Sequence, residues 1–257
     1  MKYSDETDMQ NFKKVDTSSW DTLKDNVFVR LMNGKYIGKY GDNIINEPFM
    51  DLTLTFSVQE KSKDTILSYL LTEEDLERFN VTAEEIKDTA LHNTTYDRKK
   101  RIMTFKESIL KSNPMYPVLE IPYGASFGVS SHSSNSPEHG LIRDVDEDTD
   151  EENILILTNR TDIFGASYIA SFEILNEIYN RFNENFYIIP LSIHKVMCIR
   201  SNYATKNGKK PIYEVDDDLL DMVENFNDSN NRSWKDILSY KIYYYFGNDG
   251  NKLFLIK

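Results

Sequence analysis

The chain is poor in the residues that mark specialised architectures. One cysteine in 257 residues, Cys198, excludes an intramolecular disulfide framework, a Cys-rich zinc site and an iron–sulfur cluster. No uncharged apolar stretch approaches the roughly 20 residues of a membrane helix. The acidic first residues, Met1 to Glu6, have no apolar segment of the kind a secretory signal needs. Basic residues are outnumbered, 30 Lys and Arg against 42 Asp and Glu, giving a net charge of −12. A surface of that sign disfavours nucleic acid and anionic membrane, because affinity for either rests on clustered Lys and Arg. These absences point to a cytoplasmic protein that binds neither directly.

What is present is aromatic: 16 Tyr and 14 Phe argue for an ordered core. The composition pattern suggests a polar lead-in over residues 1–24, loose or helical, followed by one α+β domain over 25–257. Its expected centre is a mixed sheet with helices packed on it and a helical insertion near 72–112. Residues 26–32 read as a strand ended by Asn33-Gly34. From 49 to 58, Leu52, Leu54, Phe56 and Val58 alternate with Thr53, Thr55 and Ser57, which suits a half-buried strand. Phe49, Leu52 and Phe56 suit a helix as well. Residues 66–71 fit a short strand or helix. Thr72 with Asp75, and Thr82 with Glu85, have the spacing of capping boxes. The basic run Arg98 to Arg101 reads as the start of a helix that closes at Asn113-Pro114. Residues 154–200 read as strand–helix–strand–strand, the helix face being Tyr168, Phe172, Leu175 and Tyr179. A helix starting in Asp216 to Asp218 and a closing hairpin over 238–256 complete the chain.

Several of these stretches resemble an uncharacterised family of gut-dwelling Gram-positive bacteria that is often met on mobile genetic elements. They are residues 26–31 (NVFVRL), 49–53 (FMDLT), 157–160 (LTNR), 165–169 (GASYI), 186–196 (FYIIPLSIHKV) and 238–245 (LSYKIYYY). The chain departs from the family at Lys195, where an acid is usual, and in a longer segment at 128–152. The resemblance implies one fold over residues 20–250 and a bacterial or phage origin. It carries no activity.

No sequence signature of catalysis stands out. Gly165-Ala166-Ser167 lacks the spacing and lysine of a phosphate loop and suits close helix–strand packing. His194 has Ser192 two positions before it, with no nucleophile elbow. His132 and His139 form no specific metal spacing. The acids from Asp144 to Asp150 lack the glycine and final glutamate of a calcium loop. No cofactor or metal is expected. Cys198, between Met197 and Ile199, reads as a buried thiol.

Two function classes follow. In the first, the protein is a non-catalytic acidic inhibitor that occupies a basic protein surface, such as the channel of a host defence nuclease, by mimicking nucleic acid. Its contacts would be Asp144, Asp146, Glu147, Asp148, Asp150, Glu151 and Glu152 in the exposed 128–152 segment, with Asp216, Asp217 and Asp218. In the second, it is an enzyme with a cleft near Asp51, Asn159 and His194.

Overall fold

A computed structural model describes residues 2–62, 65–112, 153–228, 233–247 and 250–256, and shows an α+β protein built on two sheets. Sheet one contains β1 (Lys2–Asp5), β2 (Val27–Asn33), β3 (Asn46–Phe49), β4 (Leu52–Ser62) and β5 (Thr65–Leu70). Its order is β1-β5-β4-β2, with β3 also on β4; β1 pairs with β5 in parallel and every other pair is antiparallel. The alternation in β4 is decisive. Leu52, Leu54, Phe56 and Val58 enter the main core with Val27, Val29 and Leu31 of β2. The hydroxyl residues Thr53, Thr55 and Ser57 share the opposite face with Arg30, through the Arg30–Thr55 and Phe28–Ser57 register. A period of two cannot be satisfied by a helix that must bury the same four residues.

The apolar side of sheet one is covered by α1 (Trp20–Leu23), α2 (Glu73–Phe79) and α3 (Ala83–Thr95), through Leu23, Phe79, Ile86 and Ala90. Both capping boxes form: Thr72 with Asp75 and Thr82 with Glu85. The outer edge of β2 is closed by side chains. Val29 N–H donates to Thr94 Oγ1 and Leu31 N–H to Ser167 Oγ, each at 3.0 Å. Protecting an edge in this way removes a template for unwanted strand pairing.

Sheet two runs β11-β10-β8-β9-β7-β6, all antiparallel. Its strands are β6 (Lys100–Thr104), β7 (Ile154–Asn159), β8 (Phe186–Ser192), β9 (Lys195–Arg200), β10 (Tyr243–Phe246) and β11 (Lys252–Leu255). Both faces are buried, so β7 to β9 read as continuous apolar runs. Leu155, Leu157, Phe186, Ile188, Val196 and Cys198 enter the main core under α5 (Phe172–Phe182). The alternate residues Ile154, Ile156, Tyr187, Ile189 and Met197 meet α7 (Ile212–Asp228) through Val215, Leu219, Met222 and Val223. Short helices α4 (Phe105–Ser112) and α6 (Ser201–Ala204) follow β6 and β9.

Four sequence expectations are corrected. The lead-in is structural: Lys2–Asp5 is a strand, and Met9 and Phe12 are buried. The basic run begins strand β6 rather than a helix, because Lys100 to Thr104 find the open edge of β7, with α4 starting only at Phe105. Helix α5 starts at Phe172 behind the Ser171 cap, so its buried stripe is Ile174, Leu175, Ile178 and Phe182, while Phe172 is exposed. Helix α7 starts at Ile212 behind Pro211, so its acids lie inside the helix. Residues 113–152, including the Asn113-Pro114 helix end, lie outside the described residues.

Gly165, which begins a 3-10 turn over Gly165–Ala170, is needed for its size. A Cβ there would lie 2.6 Å from the His194 carbonyl oxygen and 2.7 Å from Thr158 Cα. Both obstacles are backbone and cannot rotate away. Gly165→Ala is therefore expected to cost about 1–3 kcal/mol in urea unfolding, while Gly38→Ala, with nothing within 4 Å, stays within about 0.5 kcal/mol of the parent. Equal stabilities for the two variants would contradict this packing.

Candidate functional site

The most unusual side chain is Arg30, which is fully buried on the polar face of sheet one. Its environment is assembled from several segments distant in the chain. Strand β1 brings Asp5, whose Oδ1 accepts from Arg30 Nη1 at 2.5 Å. Strand β5 brings Ser68, 3.4 Å from the same nitrogen, and the pairing of Asp5 with Ser68 places both on the Arg30 side. Three rings surround the cation: the ring centres of Phe164, Tyr3 and Tyr40 lie 4.3, 5.5 and 5.6 Å from Cζ. Cation–π contacts of this kind are strengthened by the removal of water.

Phe164 is held in a left-handed conformation (φ 57°), which is unfavourable for a bulky residue. Two groups fix it there. Its ring lies against Arg30, and its N–H donates to His194 Nδ1 at 3.2 Å. His194 sits in the β8–β9 turn. With Nδ1 accepting, the ring proton is on Nε2, which lies 3.5 Å from Asp236 Oδ1. The Tyr3 hydroxyl donates to that same oxygen at 3.0 Å. Tyr3, Asp5, Arg30, Phe164, His194 and Asp236 thus form one connected group. Burial and the charge of Asp236 push the Tyr3 phenol well up, against the pull of Arg30. Burial lifts Tyr40 to about 12, again opposed by the guanidinium.

The three polar residues anticipated for a cleft are each engaged in holding the fold. Asp51 accepts from the Ser239 hydroxyl at 2.6 Å and the Tyr243 hydroxyl at 2.7 Å, tying the β3–β4 turn to sheet two. Asn159 closes the turn after β7, its amide donating to Ile163 O at 2.6 Å and its oxygen accepting from Thr161 N–H at 3.0 Å. Asn159 and His194 grip the same 159–164 loop, whereas none of the described contacts of Asp51 reaches either. Ser192 accepts from the His194 backbone N–H at 3.1 Å and is not poised against the imidazole. Burial raises the Cys198 thiol far above its ordinary value.

Of the anticipated partner contacts, Asp144, Asp146, Glu147, Asp148, Asp150, Glu151 and Glu152 lie outside the described residues, as do His132 and His139. The other cluster divides along α7. Asp216 is buried and faces Tyr187, so it is not a surface contact. Asp218 is half-buried and pairs with Lys210. Asp217 is exposed and belongs to a longer stripe that sequence reading missed: Glu214, Asp217, Asp221, Glu224 and Asp228, all exposed, at steps of three and four. That helical spacing was visible, but only the position of Val215, Leu219, Met222 and Val223 in the core fixes which acids face out. Arg30 was missed too. Its signal was an arginine between Phe28 and Met32 on one strand face, whereas Tyr3, Asp5 and Asp236 had none.

Residues 1–246 match the model of a family of unknown function, DUF5688. The chain belongs to that family. No curated protein and no solved structure matches it. The resemblance seen in the sequence is therefore to an uncharacterised family, and the match covers the Arg30 group and α7 of this DUF5688 member alike. Among the described residues no helix is long and apolar enough to cross a membrane, and no cluster of His, Cys, Asp and Glu has the arrangement of a metal site.

The tyrosines give this fold an alkaline limit. Burial raises Tyr168 (with Asp97), Tyr187 (with Asp216) and Tyr243 (with Asp51) above the ordinary value of 10.0. The folded chain keeps these protons after the unfolded chain has released its own. Their stabilising contribution is complete below pH 10 and declines as pH rises toward 12 and beyond, by up to about 1.4 kcal/mol per pH unit for each buried tyrosine. Unfolding free energies across that range should fall steeply, and Tyr187→Phe should flatten the slope. Tyrosinate absorbance appearing in the folded protein near pH 10 from these residues would overturn the account.

Proposed function

We propose that this protein works by binding rather than by catalysis, and that its partner presents a basic protein surface. The observation carrying this reading is the outer face of α7. Helix Ile212–Asp228 contains no Lys or Arg, and five exposed carboxylates run along it from Glu214 to Asp228. At 1.5 Å per residue they span about 21 Å, with one negative charge roughly every 5 Å. Four buried apolar residues on the opposite side hold the helix on sheet two, so the charges are presented on a rigid support.

Such a row suits a partner surface built to follow a phosphate backbone. Electrostatic complementarity of this kind speeds encounter and excludes acidic competitors, and salt screens it. The target class that fits is a nucleic-acid-handling enzyme, for instance a host defence nuclease, with the protein acting as an inhibitory nucleic-acid mimic. A phage or other mobile element in a bacterial cytoplasm is the setting in which such an inhibitor is useful. The same charge keeps the protein away from nucleic acid and anionic membrane. The enzyme reading around Asp51, Asn159 and His194 gains no comparable support, since their polar atoms are engaged in turns and inter-sheet contacts.

Neutralising the row as Glu214→Gln, Asp217→Asn, Asp221→Asn, Glu224→Gln and Asp228→Asn leaves the buried face of α7 intact. Tagged parent and variant are compared by affinity capture from bacterial lysate at low and high salt, followed by titration against the captured basic protein. At about 0.2–1 kcal/mol per exposed charge, the five substitutions together should weaken binding by about 5- to 5000-fold, with a shallower salt dependence. Unchanged affinity and salt slope would remove α7 from the interface. Capture of no basic protein by the parent would remove the reading itself.

A further inference from the structure

Edge strands expose unpaired backbone groups, and this fold closes one edge while leaving another bare. Thr94 and Ser167 close β2. At the edge of sheet two, β11 has β10 on one side only. Ile256 N–H donates to the Ile242 carbonyl at 3.0 Å, and in the same register Phe254 and Lys252 stand opposite Tyr244 and Phe246. Hydrogen-bonded and non-hydrogen-bonded pairs alternate in an antiparallel ladder, so the N–H and C=O groups of Leu253 and Leu255 point away from β10. Among the described residues nothing pairs with them. The side chains are unusual for an edge as well. Leu253 to Ile256 are four apolar residues in a row, and Phe254 and Leu255 are 49% and 42% exposed. Edges are normally blunted by charge or covered, and one that is neither is a template for another strand.

The occupant that fits is the same strand of a second copy. An antiparallel pairing centred on Phe254 sets Leu253 of each copy opposite Leu255 of the other, so all the outward backbone groups of these residues find partners. Phe254 then meets its own counterpart as a non-hydrogen-bonded pair, in which side chains come closest. Lys252 falls opposite Ile256, which keeps the two lysines at opposite ends of the contact. Charge favours this edge too. Two chains of −12 repel each other, but Lys252 to Ile256 hold no carboxylate, so acidic molecules can meet there without opposing acids. The contact is far smaller than the roughly 20–30 residues a side of a stable complex, so it forms and separates readily. We infer that the protein forms a weak two-fold dimer by pairing β11 with β11 of a second copy, joining two six-stranded sheets into one.

Phe254 lies on the α7 face of sheet two, because Tyr244 opposite it and Ile256 two residues on pack against the α7 cluster. The two-fold axis of such a strand pair stands perpendicular to the sheet, so both α7 helices fall on one face of the joined sheet. Taken with the binding role proposed for α7, on which this consequence alone rests, the dimer presents two acidic rows to one partner.

Sedimentation velocity of the full-length protein over a wide concentration range tests the dimer without any partner. Mass should rise from monomer to dimer in the micromolar range. Added salt should tighten the dimer by screening repulsion between the chains, whereas it weakens binding through α7, so the two readings fail separately. Phe254→Lys changes an exposed side chain and should keep the parent's melting temperature while weakening association at least about tenfold. Register is read by cysteine. Phe254→Cys should give a disulfide-linked dimer under mild oxidation, since directly opposed Cβ atoms lie about 4.5–5.5 Å apart, and Lys252→Cys, opposite Ile256, should not. Cys198 is buried and does not compete. If Phe254→Lys fails to fold, the cysteine pair decides alone. A parent that stays monomeric throughout, a folded Phe254→Lys that dimerises like the parent, or equal cross-linking at 252 and 254 would overturn the inference. A monomeric parent whose lysate partner is lost in Phe254→Lys would assign the edge to a foreign strand and overturn self-pairing equally.

Discussion

A guanidinium taken out of water carries a desolvation penalty of several kcal/mol unless opposite charge and polarisable groups are brought to it. Arg30 imposes that condition on sheet one, and the chain meets it by importing groups from distant segments. Asp5 arrives only if residues 2–5 pair in parallel with β5, so the N-terminal strand is the means by which the charge is neutralised. Phe164 arrives only if the loop after β7 takes a left-handed backbone, which His194 and the turn around Asn159 hold in place. Tyr3, beside Asp5, then reaches Asp236 and His194. One buried cation thus orders the N-terminus, a strained loop and the β8–β9 turn together.

The second polar joint between the sheets repeats the logic with opposite sign. Asp51, at the β3–β4 turn, is held by hydroxyls of Ser239 and Tyr243 across nearly two hundred residues of chain. Glu60 does the same for the lead-in: its buried carboxylate accepts backbone N–H groups of Lys13, Lys14 and Val15 at 2.9, 2.5 and 2.9 Å. In each case a carboxylate inside the fold is matched to donors that are distant in sequence. Other acids are turned outward, and along α7 the apolar contacts of the inner face decide which ones are. Buried charge organises this protein, and exposed charge supplies its proposed interaction.

What was legible in the sequence followed local rules. Thr72–Asp75 and Thr82–Glu85 are capping boxes whose partners lie three residues apart, and both form as spaced. The alternation at 52–58 suits the strand that forms, although Phe49, Leu52 and Phe56 fit a helix as well, and the apolar runs of 154–200 mark three strands, a helix and their order. Less legible were elements whose conformation depends on a neighbour. Lys100 to Thr104 has no strand pattern of its own and becomes β6 by completing the edge of β7. Residues 2–5 are polar and four long, and become β1 by meeting β5 and Arg30.

The sequence by itself determined the α+β class, the acidic surface charge, the buried state of Cys198 and most element positions, because composition, period and capping act within a few residues. Only the tertiary structure decided that there are two sheets, that Asp216 is buried while Glu214, Asp217, Asp221, Glu224 and Asp228 face solvent, and that Tyr3, Asp5, Arg30, Tyr40, His194 and Asp236 meet. The reason is that a buried charge chooses its partners by distance in space. That distance is set by strand order and register, which no local pattern in the chain specifies.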